Sequence, residues 1–298
     1  MKTVLIACGV VGLGTLVSLA AEDNRLQTDL MGQAMYSHYN FTDVENPYDG
    51  LDAYLVLKGA YWLDASSRQV APYVEVIPTY ASEDAFWWQR HVQANVGLQA
   101  YVTGVDGPAL LRGLRLFGFA AGRYYYDEPS DGDAEDTDVQ AGADYYFDNI
   151  PGTKSIWASA VFANAGYRQT AFALEDYEAF TVFGNVKTGP KLTLNSMILF
   201  PYGVADWSYS PTYDERWWEN YVRVGGGLAW YPFCNSKGSD SGWWGASGGR
   251  RLNVFVEGLS QVADLGDTPP DSVEDTDIRA GVAFSTSGFY REATTADR

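Results

Sequence analysis

The chain of 298 residues is 46% hydrophobic and 15% aromatic, with 21 Tyr, 14 Phe and 10 Trp but only 19% charged residues, which excludes a disordered polypeptide and suffices for one large domain or two small ones. Lys and Arg number 20 against 38 Asp and Glu, a formal net charge of -18 that argues against a nucleic-acid partner. Two cysteines, Cys8 and Cys234, exclude a disulfide scaffold and a cysteine-based zinc site, and two histidines, His38 and His91, leave few histidine-centred mechanisms open.

Met1-Lys2-Thr3 is a short positive start, Val4 to Val17 is an apolar run, and Ser18-Leu19-Ala20 supplies the small residues read by a signal peptidase, so residues 1–20 are expected to be a cleaved export signal. The run is shorter than the roughly 20 residues of a helical span and carries Gly9, Gly12 and Gly14. A lipoprotein reading at Leu5-Ile6-Ala7-Cys8 has too few residues ahead of Cys8 for an apolar core.

Residues 21–298 read as a single domain of strands, because period-two alternation recurs from end to end and no long period of 3.6 appears. The alternation predicts strands near 30–41, 53–63, 70–80, 88–102, 114–125, 139–145, 156–168, 179–187, 196–208, 222–230, 252–262 and 278–285, twelve in all, separated by Gly, Pro, Asn, Asp and Ser. The clearest runs from Trp88 to Val102: one face carries Val92, Ala94, Val96, Leu98 and Ala100, the other Gln89, His91, Gln93, Asn95 and Gln99. A strand of that length with one aliphatic and one amide-rich face suits a tilted membrane crossing better than a soluble sheet. An even number of such strands predicts an all-β fold, an antiparallel up-and-down transmembrane β-barrel.

Aromatic doublets near strand ends (Trp87-Trp88, Tyr124 to Tyr126, Tyr145 to Phe147, Trp217-Trp218, Tyr231 with Phe233, Phe289-Tyr290) are read as girdles at the two membrane interfaces. Charge sorts by connection. The odd ones, expected outside the cell, carry acids such as Glu83, Asp138, Glu175, Asp214 and Asp277 with Arg216 as the lone base, whereas the even ones carry Arg68, Arg112, Lys154, Lys187, Lys191, Lys237, Arg250 and Arg251. The long 233–251 segment falls on the side where turns are short, so either that turn is atypical or the count slips by one strand there.

Several runs in the second half resemble the C-terminal barrel of bacteriophage adsorption protein A and related exopolysaccharide export porins: Ala158 to Tyr167, Pro201 to Asp206, Glu219 to Leu228 and Arg250 to Glu257. The resemblance rests on strand order and glycine placement over roughly the last half of the chain. It implies an outer-membrane barrel of a Gram-negative bacterium that passes or secretes a polar solute of the exopolysaccharide kind, with a periplasmic export protein as a candidate partner. Those relatives carry a helical-repeat region before the barrel, whereas here only a short stretch separates Ala21 from the first strand.

No catalytic constellation stands out, and the chain is read as a non-enzyme without cofactors. Ser37 beside His38 lacks the spacing of a nucleophile and base, and His91 lies among amides. Asp131, Asp133, Glu135 and Asp136 resemble the opening of a calcium loop but lack the glycine at its sixth position; a solvated acidic loop is the simpler reading, and loose divalent-cation binding fits either. The expected lumen lining is Lys58, Glu75, His91, Arg115, Arg123, Asp144, Arg168, Asp206, Arg223, Glu257 and Arg279, a slightly basic interior read either as a weakly anion-tolerant conduit or as salt-bridge ladders filling the barrel. Twelve strands at about 45° tilt give a backbone radius of roughly 12 to 13 Å, wide enough for one glycan chain. The alternatives are a non-conducting receptor or structural barrel whose acidic loops bridge lipopolysaccharide through divalent cations, and a secreted soluble β-sandwich that binds carbohydrate.

Overall fold

The computed structural model describes residues 25–39, 48–82, 90–103, 108, 111–126, 136–150, 155–171, 176–194, 197–211, 220–232, 251–265 and 276–285. The expected export signal, both cysteines, most of the acidic connections and the 233–250 segment lie outside them.

The strands are β1 (Leu26–Tyr39), β2 (Tyr48–Tyr61), β3 (Val70–Ala81), β4 (His91–Tyr101), β5 (Leu114–Tyr125), β6 (Asp136–Asp148), β7 (Trp157–Ala171), β8 (Asp176–Pro190), β9 (Leu192–Leu194), β10 (Met197–Tyr209), β11 (Tyr221–Tyr231), β12 (Arg251–Asp264) and β13 (Thr276–Ser285). Each pairs antiparallel with its neighbour in sequence except that β8 pairs with β10 and not with β9, and β13 returns to β1. The three residues of β9 continue the edge of β8 along β10, so the wall has twelve staves. A single sheet closed on itself has no second sheet to pack against, which overturns the soluble β-sandwich.

The twelve predicted strands all form. Their ends shift by a few residues, and the fourth is shorter than the alternation suggested: β4 begins at His91, while Arg90 turns away to donate from Nε to the Ala81 carbonyl at 2.7 Å and from Nη2 to the Ser82 carbonyl at 2.9 Å. β11 and β12 are antiparallel neighbours, so among the described residues the strand count does not slip around the 233–251 segment.

Alternation sets the two faces. Val96, Leu98, Leu116, Val139, Val224, Leu228, Val254, Val256, Ile278 and Val282 point outward and are exposed, which in water would be a broad apolar patch and in a bilayer is the lipid-facing band. Tyr36, Tyr80, Tyr124, Tyr167 and Phe180 rim that band toward the acidic connections, and Trp157 and Trp230 rim it toward the other end. Of the aromatic groups, Trp87-Trp88, Trp217-Trp218, Phe289-Tyr290 and Phe233 lie outside the described residues; in the Tyr124 to Tyr126 run neighbours face opposite ways, Tyr124 and Tyr126 being exposed and Tyr125 buried inside.

Two glycines mark where rings lie flat on the wall. A Cβ on Gly184 would come within 2.7 Å of the Trp207 ring, its cross-strand partner outside; one on Gly227 would sit 2.7 Å from the Tyr202 ring inside. Glycine thus lets a neighbouring aromatic cover the backbone hydrogen bonds.

Candidate functional site: the barrel lumen

Inward-facing residues build the interior. Toward the end of the short even connections it is aromatic: Trp62, Tyr73 and Ala71 are buried with Tyr101 and Phe119 against them, and Phe200, Tyr202, Tyr231 and Phe255 form a second buried cluster. Trp62 donates its indole N–H to Gln27 at 3.0 Å, and Phe200 and Tyr202 stack at 5.2 Å. Above these layers the lining is charged.

Two charged networks occupy opposite sides. On β2 to β7, the buried Lys58 Nζ donates to Gln99 Oε1 at 2.8 Å and lies 4.1 Å from the centre of the Tyr73 ring. Arg115 donates to the same Gln99 oxygen at 3.0 Å and grips the Asp144 carboxylate in a forked pair. Nearer the acidic end, Asp138 accepts from Arg168 at 2.7 Å and from Arg123 at 3.3 Å, and Arg123 also donates to Gln93 at 2.7 Å. Asn95 links Gln93 to Glu75 through bonds of 2.8 and 2.9 Å. His91 packs edge-on against Tyr125 at 5.6 Å.

On β8 to β13, Lys187 Nζ reaches Glu257 Oε2 at 2.5 Å, and the Tyr202 hydroxyl donates to the same oxygen at 2.9 Å. Arg279 lies 3.5 Å from Glu257 and 3.7 Å from Asp206 and pairs with Asp277, which is also 3.7 Å from Arg223. A carboxylate shared by two cations, as Glu257 and Asp277 are, is the arrangement that offsets burial of charge.

The structure places all eleven expected lumen residues on the inner face, and it adds others. Asp138 and Asp277, assigned from sequence to external connections, stand on β6 and β13 and point inward; Lys187, assigned to a turn, lies on β8 and also points inward. With Asp29 and Asp52 inside as well, acids and bases are nearly matched, and the basic excess expected from sequence disappears. The signal for Lys187 was present, since it shares the face of Asn185 and Phe183; adjacent turn-forming residues obscured it. Of the acidic loop, Asp136 is the first residue of β6, and Asp131, Asp133 and Glu135 lie outside the described residues. Among the described residues no cluster of His, Cys, Asp and Glu could hold a metal ion.

Outside the wall's membrane band, the connection after β2 carries Asp64. Its carboxylate accepts from the Ser66 amide at 2.9 Å, the Ser66 hydroxyl at 2.7 Å and the Ser67 amide at 3.2 Å, which holds it well below the usual carboxylate range. Arg68, at the end of this turn, has φ of 48°, the left-handed region.

A closed antiparallel wall with an apolar, aromatic-rimmed outside and a charged inside defines the outer-membrane class of β-barrel. No family model matches the chain, and comparison with curated proteins finds no match. Among solved structures it is similar to the β domain of the Bordetella autotransporter BrkA (14% identity, covering 86% of this chain and 98% of that one, TM-score 0.43). It is also similar to the translocator domain of the autotransporter NalP from Neisseria meningitidis (10%, 96% and 97%, TM-score 0.39) and to a bacterial polysaccharide outer-membrane secretin (8%, 89% and 99%, TM-score 0.40).

Proposed function

We propose that the chain is a narrow, charge-balanced passage through the outer membrane of a Gram-negative bacterium for an uncharged or zwitterionic polar solute of the polysaccharide class. One observation carries this reading: the lumen charges are nearly matched acid to base, and while Lys58, Asp138 and Glu257 are buried, Arg168 and Lys187 stay wetted, keeping 26% and 27% of their side-chain surface accessible. Matched charges leave little net field, so neither anions nor cations are favoured, while the exposed donors and acceptors can replace a polar solute's hydration. This replaces the anion-tolerant conduit expected from a basic interior. The reading includes residues 1–20 as the export signal, no covalent chemistry by the chain, and acidic connections that meet lipopolysaccharide through divalent cations. Export of an exopolysaccharide with a periplasmic partner, suggested by the likeness to adsorption protein A barrels, is its most specific form.

Purified protein in planar bilayers tests it. The expected result is a small conductance with little preference between potassium and chloride, together with liposome swelling in neutral oligosaccharides; strong preference for either ion would contradict the charge balance. The second reading, a filled structural or receptor barrel, is favoured by the complete burial of Phe200 and Gln99 and the near-complete burial of Tyr125 on the inner face, and it requires no conductance at all.

A further inference from the structure

Of the large hydrophobic side chains that are exposed among the described strand residues, nearly all point outward to the lipid face; the two that point into the lumen are Tyr54 on β2 and Phe183 on β8, 43% and 40% exposed. Their faces follow from register, Tyr54 sharing the side of Lys58 and Phe183 that of Lys187. In a twelve-stave ring, β2 and β8 are six staves apart in either direction, which is diametrically opposite.

The pairings also fix their heights. From Tyr54 the ladder runs to Gln33, Ala283 and Asn253, crosses to Tyr231 one position beyond the last β11–β12 pair (Trp230 with Val254), and continues through Ile198 to Thr193, ten positions after Phe183. The other half-circuit is read four positions along from Tyr54: Lys58 leads through Glu75, Asn95, Ala121, Asp138 and Thr170 to Tyr177, so that ladder meets β8 at an offset equivalent to ten positions before Phe183. Paired residues climb the barrel steadily because the strands tilt, so the level point on the far stave lies midway between the two end points. That midpoint is Phe183. The two rings face each other at one height.

Each ring is flanked by hydrogen-bonding side chains on both neighbouring strands: Gln33 and Thr79 lie opposite Tyr54, Asn164 and Ser208 opposite Phe183. An apolar ring face bordered by amides and hydroxyls matches the two surfaces of a pyranose, whose axial C–H groups stack on aromatics while its hydroxyls need polar partners. We infer that Tyr54 and Phe183 form two sugar-stacking platforms at mid-lumen, one on each wall, and that neutral glycan chains pass between them and stack on either. This deepens the proposed passage and rests on it.

The test uses the full mature barrel in planar bilayers with cellohexaose as probe and polyethylene glycol of equal mass, which has no ring faces, as control. Tyr54→Leu and Phe183→Leu remove the ring and keep apolar bulk; Tyr54→Phe keeps the ring. Cellohexaose is expected to block the parent current in discrete events, with residence times shortened about two- to twelve-fold by each leucine substitution. Tyr54→Phe is expected to retain most of the residence time, and polyethylene glycol blocking to be indifferent to all three. Equal cellohexaose residence in parent and leucine variants, with conductance intact, would overturn the stacking site and leave the passage standing. Absence of conductance in the folded parent would overturn both. Heat-modifiable migration on gels checks that each variant is folded.

Discussion

Lys187 and Glu257 meet at 2.5 Å although their strands, β8 and β12, are separated by two intervening staves. Glu257 is the common acceptor of Lys187, Tyr202 and Arg279, so its loss leaves Lys187 inside the barrel without its carboxylate and Arg279 with only Asp206 and Asp277. Glu257→Ala is therefore expected to lower stability by about 3 to 5 kcal/mol. Lys187→Met, which leaves Glu257 paired with Arg279, is expected to cost clearly less. Urea unfolding in detergent or lipid vesicles, followed by tryptophan fluorescence, measures both, and equal costs would show that Glu257 is not the hub.

The assignment of faces is tested by one substitution on each side of the wall. Val96 is exposed on the lipid face in the middle of β4, and Val96→Arg is expected to cost about 2 to 4 kcal/mol and impair insertion. Ile77 faces the lumen two residues from Glu75, where Ile77→Arg finds a carboxylate and should be tolerated. Folding into lipid vesicles, scored by protease resistance, separates the two cases.

The turn after β2 carries local strain and a local acid dependence. Because Arg68 holds a left-handed backbone, Arg68→Gly is expected to stabilise the turn by about 1 kcal/mol. The depressed pKa of Asp64 means that its bonds to Ser66 and Ser67 are fully formed above the ordinary carboxylate pKa of about 4 and are lost as pH falls through the lower folded value. Hydrogen exchange at the Ser66 and Ser67 amides, read across acidic pH, should quicken only at the acid end, and Asp64→Ala should remove that dependence.

Sidedness follows from charge. A cysteine at Asp133 is expected to react with a membrane-impermeant maleimide on intact cells, and one at Arg112 to react only after lysis. The opposite pattern would invert the barrel.

The wall was legible in the sequence because lipid on one side and polar lining on the other impose a strict period of two, and every predicted strand is present. Single positions near strand ends were not. Asp138 and Asp277 sit next to acidic runs and read as loop charges, yet each lies on an inner face beside an arginine; Lys187 looked like turn material because β8 continues only to Pro190. Their corrected placement changes what charge reversal would do. Arg123→Glu with Arg223→Glu would set new carboxylates beside Asp138 and Asp277, so failed assembly is the expected outcome. The pairing of residues 70 apart, as in Lys187 and Glu257, depends on closure of the ring and has no local signature.

The seam between β1 and β13 joins the first and last strands of the described wall through nine paired positions, from Met31 with Ser285 to Tyr39 with Asp277. Until Thr276–Ser285 reaches that seam, both margins of the sheet present rows of unmatched N–H and C=O groups, which hydrocarbon does not tolerate. The nascent wall therefore cannot rest in the bilayer as a stable half-product: insertion and closure form one event, timed by the arrival of the C-terminal strand, and a chain shortened by those ten residues should stall outside the membrane as a proteolysis substrate.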